Sequence, residues 1–144
     1  MTTIVYDHKN KQIAYDSRET SGNVICSDNA IKYHKIGDEL LFLCGDVPDI
    51  QEFVSVYPNI DKELCAFGVM VSNVGVHNVG VTKDGRLSKC KIEYSDAFGS
   101  GCEFALAAID HGKAAKGAVE YAATRDTLTG GKVHVYDIEK GEFI

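Results

Sequence analysis

A threonine at position 2, directly behind the first methionine, offers a specific chemical option. Aminopeptidases trim Met before small residues, and excision of Met1 would make Thr2 the N-terminal residue. Its α-amine, with an ordinary pKa of about 7.7 to 8.0, is then partly neutral at cell pH and can take the proton from the residue's own Oγ. Nucleophile and base would share one residue, whereas a retained Met1 blocks both. Thr2 and Thr3 also read as the β-branched start of an edge strand.

Other residues that could carry chemistry are a carboxylate at Asp16, a lysine at Lys32, the Gly99-Ser100-Gly101 turn and the run Arg125-Asp126-Thr127-Leu128-Thr129-Gly130-Gly131. Each has a structural alternative. Asp16 and Lys32 could form a purely structural salt bridge, Ser100 could cap a helix, and Asp126 could cap or end one. Five cysteines form an odd set without CxxC spacing and are expected to be buried thiols. Five scattered histidines offer no metal-ligand pair, so no metal and no cofactor are expected.

The elements that must position these groups follow from periodicity. Short β-prone runs at residues 3–6 and 12–15 flank the polar tract 7–11 and read as a hairpin, followed by runs at 30–36 and 40–44 around the Gly37-Asp38 turn. This predicts an opening antiparallel meander. Ile50, Phe53, Val54 and Tyr57 then fall on one helical stripe, with Asp46 or Asp49 as cap and Pro58 as stop. Strands are predicted at 64–72, 76–82 and 87–92, helices at 102–110 and 114–124 separated by Gly112, and a last strand at 132–137. Strands in consecutive blocks with grouped helices predict an α+β protein, two antiparallel sheets covered by helices.

With 144 residues, 44% of them hydrophobic, a single domain over 1–144 is expected. A net charge of −6 argues against nucleic acid, and the absence of an export signal or a long apolar run points to a cytoplasmic protein with no membrane role.

Taken in order, Thr2-Thr3-Ile4-Val5, Asp16-Ser17-Arg18, Gly22, Lys32, the Gly45-Asp46 corner, Gly99-Ser100-Gly101 and Arg-Asp-x-x-Thr-Gly-Gly resemble proteasome β-subunits and the HslV peptidases over nearly the whole chain. The resemblance implies a four-layer αββα sandwich of two antiparallel sheets, the N-terminal-nucleophile (Ntn) hydrolase fold. Its outer helical layer is expected to be reduced, because only about twenty residues separate Asp46 from Cys65. It also implies a threonine peptidase that cleaves peptide amides through an acyl-enzyme on Thr2.

By the same resemblance Lys32 is the lysine beside the nucleophile, where an ammonium stabilises developing alkoxide and helps keep the amine neutral, and Asp16 is the carboxylate that offsets its burial. Ser100, Asp126 and Thr129 match the cluster around the free N-terminus; the family usually has Ser at the position of Thr129. An extended peptide is expected to pair with the segment at Thr20-Ser21, with Glu19, Ala30 and His34 lining the first specificity pocket and Glu19 favouring basic side chains. The oxyanion donor falls near Phe42, where the family has glycine, with Gly45 as the substitute. Expected partners are a peptide or unfolded protein substrate, further copies in a homo-oligomer and an ATP-dependent unfoldase. The alternatives are a catalytically inactive assembly or binding module and an amidohydrolase for small amides.

Overall fold

The computed structural model describes residues 2–144; the expected loss of Met1 lies outside the described residues. In chain order the elements are β1 (Thr3–Asp7), β2 (Gln12–Tyr15), β3 (Glu19–Ser21), β4 (Val24–Ser27), β5 (Tyr33–Ile36) and β6 (Glu39–Gly45). Then come α1 (Val47–Val56), β7 (Ala66–Ser72), β8 (Gly75–Val81), β9 (Leu87–Lys91) and β10 (Asp96–Gly99). The chain closes with α2 (Cys102–Asp110), α3 (Ala115–Arg125), β11 (His134–Asp137) and β12 (Glu142–Phe143). They form two compact units, one running to Lys32 and resuming over Tyr94–Ile144, the other spanning Tyr33–Glu93.

The first unit holds a five-stranded sheet in the order β10-β1-β2-β11-β12 and the separate two-stranded β3-β4. β1 lies inside the sheet, antiparallel to β10 and to β2, and all five of its residues are buried. Burial on both faces explains why Thr3-Ile4-Val5-Tyr6 reads as continuously apolar or β-branched instead of alternating. On one face Val5, Ala14 and Val135 pack against Ala105 and Ala108 of α2 and Ala115, Ala118, Val119 and Ala122 of α3. Alanine favours the helix intrinsically, and its short side chain lets helix and sheet approach closely.

The second unit is an antiparallel meander, β5-β6-β7-β8-β9. α1 lies over it: Phe53, fully buried, and Ile50, Val54 and Tyr57 pack on Leu41, Leu43, Met70 and Val79, the stripe read from periodicity. Asp46 stands at the N-cap without a side-chain cap bond, while Asp49 instead accepts from the N–H of Cys65 at 2.7 Å. The helix ends at Val56, two residues before Pro58.

Three expectations are corrected. The opening strands do not form one meander, because the free side of β2 is taken by β11, with His134 opposite Tyr15, and the chain leaves the sheet at Asp16. The run at 30–36 is a strand only from Tyr33, since the preceding residues carry Lys32 and the exit from β4. Of the cysteines only Cys44 is buried, Cys26 and Cys90 being exposed; all five are free thiols.

Gly99, at the end of β10 and opposite Thr3, has φ +99, and a Cβ there would lie 1.7 Å from the carbonyl oxygen of Thr2. Gly22, in the β3-β4 turn with φ +58, has nothing within 4 Å of such a Cβ. Gly22→Ala should therefore lower stability by about 1 to 2 kcal/mol, the left-handed backbone cost alone. Gly99→Ala should lose at least twice as much. Urea unfolding of both variants checks this, and equal losses would show that the close approach at Gly99 is not needed.

Candidate functional site

Asp16 directly follows β2 and is fully buried. Five donors converge on its carboxylate. Oδ1 accepts from the Thr2 hydroxyl, from the Thr3 N–H at 2.9 Å and from Lys32 Nζ at 3.0 Å. Oδ2 accepts from the N–H of Gly130 at 2.9 Å and from that of Arg18 at 3.3 Å. A buried ion pair is tolerable only when the remaining lone pairs are met, and here they are. The pair can therefore hold a hydroxyl and an ammonium around one carboxylate oxygen.

Lys32 precedes β5; its side chain is 11% exposed, and Nζ also donates to the carbonyl of Arg18 at 2.7 Å. The backbone of Arg18 thus touches both members of the pair. Its guanidinium is tied down separately, to Asp28 at 2.9 and 3.3 Å and to the carbonyl of Thr127 at 3.2 Å. The hydrogen bond to Asp28 raises the Arg18 pKa, and the same bond holds the Asp28 carboxyl below its ordinary value. The buried Ser17 hydroxyl lies between the carbonyls of Asp28 and Lys132, at 2.8 and 2.7 Å. A Cβ on Gly130 would come within 2.5 Å of the Arg18 guanidinium, and one on Gly131 within 2.6 Å of Ser17 Oγ. The glycine pair is thus what lets the loop after α3 close over the Asp16 segment.

A second carboxylate gathers hydroxyls. Asp126, at the C-cap of α3, accepts from Ser100 Oγ and Thr129 Oγ1, both at 2.6 Å, and from the N–H of Leu128 at 3.1 Å. Burial raises its pKa, but the hydrogen bonds from Ser100, Thr129 and Leu128 outweigh it and leave the carboxyl below the ordinary value. Thr129 Oγ1 lies 2.7 Å from Thr3 Oγ1. The N-cap of α2 is Gly101 and has no side-chain cap bond, so the capping alternative for Ser100 falls: its hydroxyl is spent on Asp126. The alternative for Asp126 holds in position, and its carboxylate does more than end a helix.

The structure thus brings Thr2, Asp16 and Lys32 together, and Ser100, Asp126 and Thr129 together. Glu19, Thr20 and Ser21 form β3, with a register shift between Glu19 and Thr20, and the N–H of Ala30 donates to the carbonyl of Ser17 at 2.9 Å. His34 and Gly45 belong to the second unit. His34, in β5, pairs with Leu41, and burial lowers its pKa. Gly45, with φ +131, pairs with Ala66, and a Cβ would meet the Cys65 carbonyl oxygen at 2.0 Å. Phe42, near which the oxyanion donor was expected, lies within the sheet and pairs with Tyr33 on one side and Val69 on the other. No group of three or more His, Cys, Asp or Glu able to hold a metal occurs among the described residues, and no helix there is long and apolar enough to cross a membrane.

The sequence alone gives no role to the side chains of Thr3, Ser17, Arg18 and Asp28 or to the N–H of Gly130. Asp-Ser-Arg and Thr-Gly-Gly were visible as motifs. Asp28, ten residues beyond Arg18, carries no local signal.

Because the Asp126 carboxyl is held below its ordinary value, its contribution to stability is fully present above the unfolded carboxylate range. That contribution disappears as pH falls through the folded value. Asp126→Asn should therefore be less stable than wild type at pH 7, with the gap narrowing once pH falls below about 4. Thermal unfolding of both proteins across pH 2.5 to 7 measures it; a gap that does not change with pH would contradict the assignment.

No protein-family model matches the sequence, and no curated protein matches it. Solved structures do. Eukaryotic HslV from Trypanosoma brucei matches with a TM-score of 0.67 at 19% identity, over 93% of this chain and 97% of that one. BPH from Thiobacillus denitrificans matches with a TM-score of 0.68 at 16% identity, over 94% and 95%. The same BPH in complex with epoxomicin matches with a TM-score of 0.66 at 17% identity, over 94% and 97%. At these identities the likeness shows the fold alone: two antiparallel sheets plus three helices that fit the expected αββα sandwich.

Proposed function

We propose that the protein is a threonine peptidase that uses Thr2 as nucleophile after loss of Met1. The observation that carries this reading is the convergence of the Thr2 hydroxyl and the Lys32 ammonium on one oxygen of the buried Asp16. The bound epoxomicin in the structurally similar BPH supports it.

In the reaction, the free α-amine of Thr2 accepts the proton from Oγ as Oγ attacks the scissile carbonyl. Lys32, 3.0 Å from Asp16, supplies positive charge where the alkoxide develops. The tetrahedral adduct collapses to an ester on Thr2 as the C–N bond breaks, and the ammonium of Thr2 returns its proton to the departing amine. Water then gives its proton to the amine, attacks the ester and frees the acid and the Thr2 hydroxyl. Asp126, with Ser100 and Thr129, supports the amine in its two protonation states. The reaction needs no metal or cofactor.

The substrate is an extended peptide or unfolded protein that adds to the Thr20-Ser21 strand by main-chain hydrogen bonds. We place the whole chain in one functional domain, acting in the cytoplasm as a homo-oligomer, with an ATP-dependent unfoldase as a partner. A second reading, an inactive assembly or binding module, is favoured by one observation: Phe42, near which the oxyanion donor was expected, lies within the sheet.

Intact-protein mass spectrometry with epoxomicin separates the two readings. The peptidase should have lost Met1 and gain one adduct that is absent in Thr2→Ala. Lys32→Ala should label about a hundred-fold more slowly than wild type, the usual loss for removing an electrostatic stabiliser. Retained Met1, or a free Thr2 that stays unlabelled beside a labelled control peptidase, would leave the inactive module.

A further inference from the structure

The reaction proposed above uses no atom of the Thr3 side chain, yet that side chain is fully buried between the two carboxylate clusters. Its N–H donates to Asp16 at 2.9 Å, and its Oγ1 lies 2.7 Å from Thr129 Oγ1. A hydroxyl has a single proton to donate. Thr129 gives its own to Asp126 at 2.6 Å, so between the two threonine hydroxyls Thr3 is the donor. Ser100 gives its proton to the same oxygen of Asp126. The hydroxyl protons of Thr3, Thr129 and Ser100 therefore all point toward Asp126. Residues 2 and 3, adjacent in sequence, span the space between the carboxylates: the Thr2 hydroxyl and Thr3 N–H hold Asp16, and the Thr3 hydroxyl reaches Asp126 through Thr129. Gly101 leaves room for this, since a Cβ there would lie 2.2 Å from Thr3 Oγ1 and 3.0 Å from Thr129 Oγ1.

We infer that Thr3 is a positioning residue, whose hydroxyl commits the Thr129 proton to Asp126 and locks the start of β1 so that Thr2 is held at a fixed place between the two carboxylates. The inference rests on the reading of Thr2 as nucleophile. Two physical effects carry it. A hydroxyl that accepts a hydrogen bond becomes a better donor, so Thr3 strengthens the bond from Thr129 to Asp126. Without that donor Thr129 can turn its proton elsewhere, and the Thr2 main chain loses its second anchor. Small displacements of a reacting group slow the chemical step more than they weaken binding.

The test is the rate of epoxomicin labelling over a range of concentrations, resolved into a saturation constant KI and a maximal rate kinact, for full-length wild type, Thr3→Val, Thr3→Ser, Thr129→Val and the Thr3→Val/Thr129→Val pair. Thr3→Val keeps the shape and removes the hydroxyl. It should lower kinact about ten- to a hundred-fold with KI within about two-fold, on the scale of a misplaced reacting group. Thr3→Ser should recover most of the wild-type rate, and the double variant should be no slower than Thr129→Val, because Thr3 acts through Thr129. Should Thr3→Val fail to fold in a circular-dichroism melt, Thr3→Ala, which differs from Thr3→Ser only by the hydroxyl, carries the same comparison against Thr3→Ser. Wild-type kinact in Thr3→Val, a change confined to KI, no recovery by Ser, or additive losses in the double variant would each overturn the inference while leaving Thr2 as nucleophile. A wild-type protein that does not label at all would remove both.

Discussion

Burying the Asp16 carboxylate is the constraint on which the rest of the first unit depends. An ionised carboxylate taken out of water costs several kcal/mol unless its lone pairs are met, and each of the five donors that meet them comes from a different residue. Two lie at the start of β1, one at Lys32, one at Arg18 and one in the loop after α3. All five must arrive at once. The register of β1 against β2, the exit of the chain from the sheet at Asp16, and the close approach of the Gly130-Gly131 loop all follow from that requirement.

The supports of this cluster are graded in burial. Asp16, Ser17 and Thr3 are inaccessible to solvent, whereas the Arg18–Asp28 pair at the edge is 21% and 40% exposed in its side chains. An ion pair so placed is screened and adds little to stability. Its value is geometric, because the backbone of Arg18 touches both Asp16 and Lys32, and anchoring the guanidinium to Asp28 and Thr127 restrains that backbone. Behind the cluster, β1 sits inside a sheet and rests on the alanine-rich faces of α2 and α3. Polar groups held on such a packed strand keep their geometry better than groups on loops.

Much of the scaffold was legible residue by residue. The β1-β2 hairpin, the Phe53 stripe of α1, the strands β7 to β9 and the bounds of α2 all stand where periodicity and turn residues place them. The β3-β4 hairpin was missed because its strands of three and four residues are largely exposed and carry no alternation, although Ser21-Gly22-Asn23 signals its turn. β10 was missed because Asp96-Ala97-Phe98-Gly99 has weak strand propensity and is recruited by pairing with β1. In the candidate site, Asp16, Lys32, Ser100, Asp126 and Thr129 could be named only through the family resemblance that their motifs carry. Ser100 nevertheless reads as a helix cap until the structure shows its proton on Asp126.

By itself the sequence determined residue types and local periods: an N-terminal pair of threonines, a carboxylate after a strand, a lysine before another, glycines where backbones must meet, and alanines on the helices. These are properties of neighbours in the chain, and local sterics and burial decide them. Tertiary structure alone decided that β2 pairs with a strand from the C-terminus and that Thr3 lies 2.7 Å from a hydroxyl 126 residues away. It also decided that one buried carboxylate takes donors from five residues. Such contacts have no local signature, because what selects them is the shared need of buried polar atoms for partners, and that need exists only once the chain has closed around them.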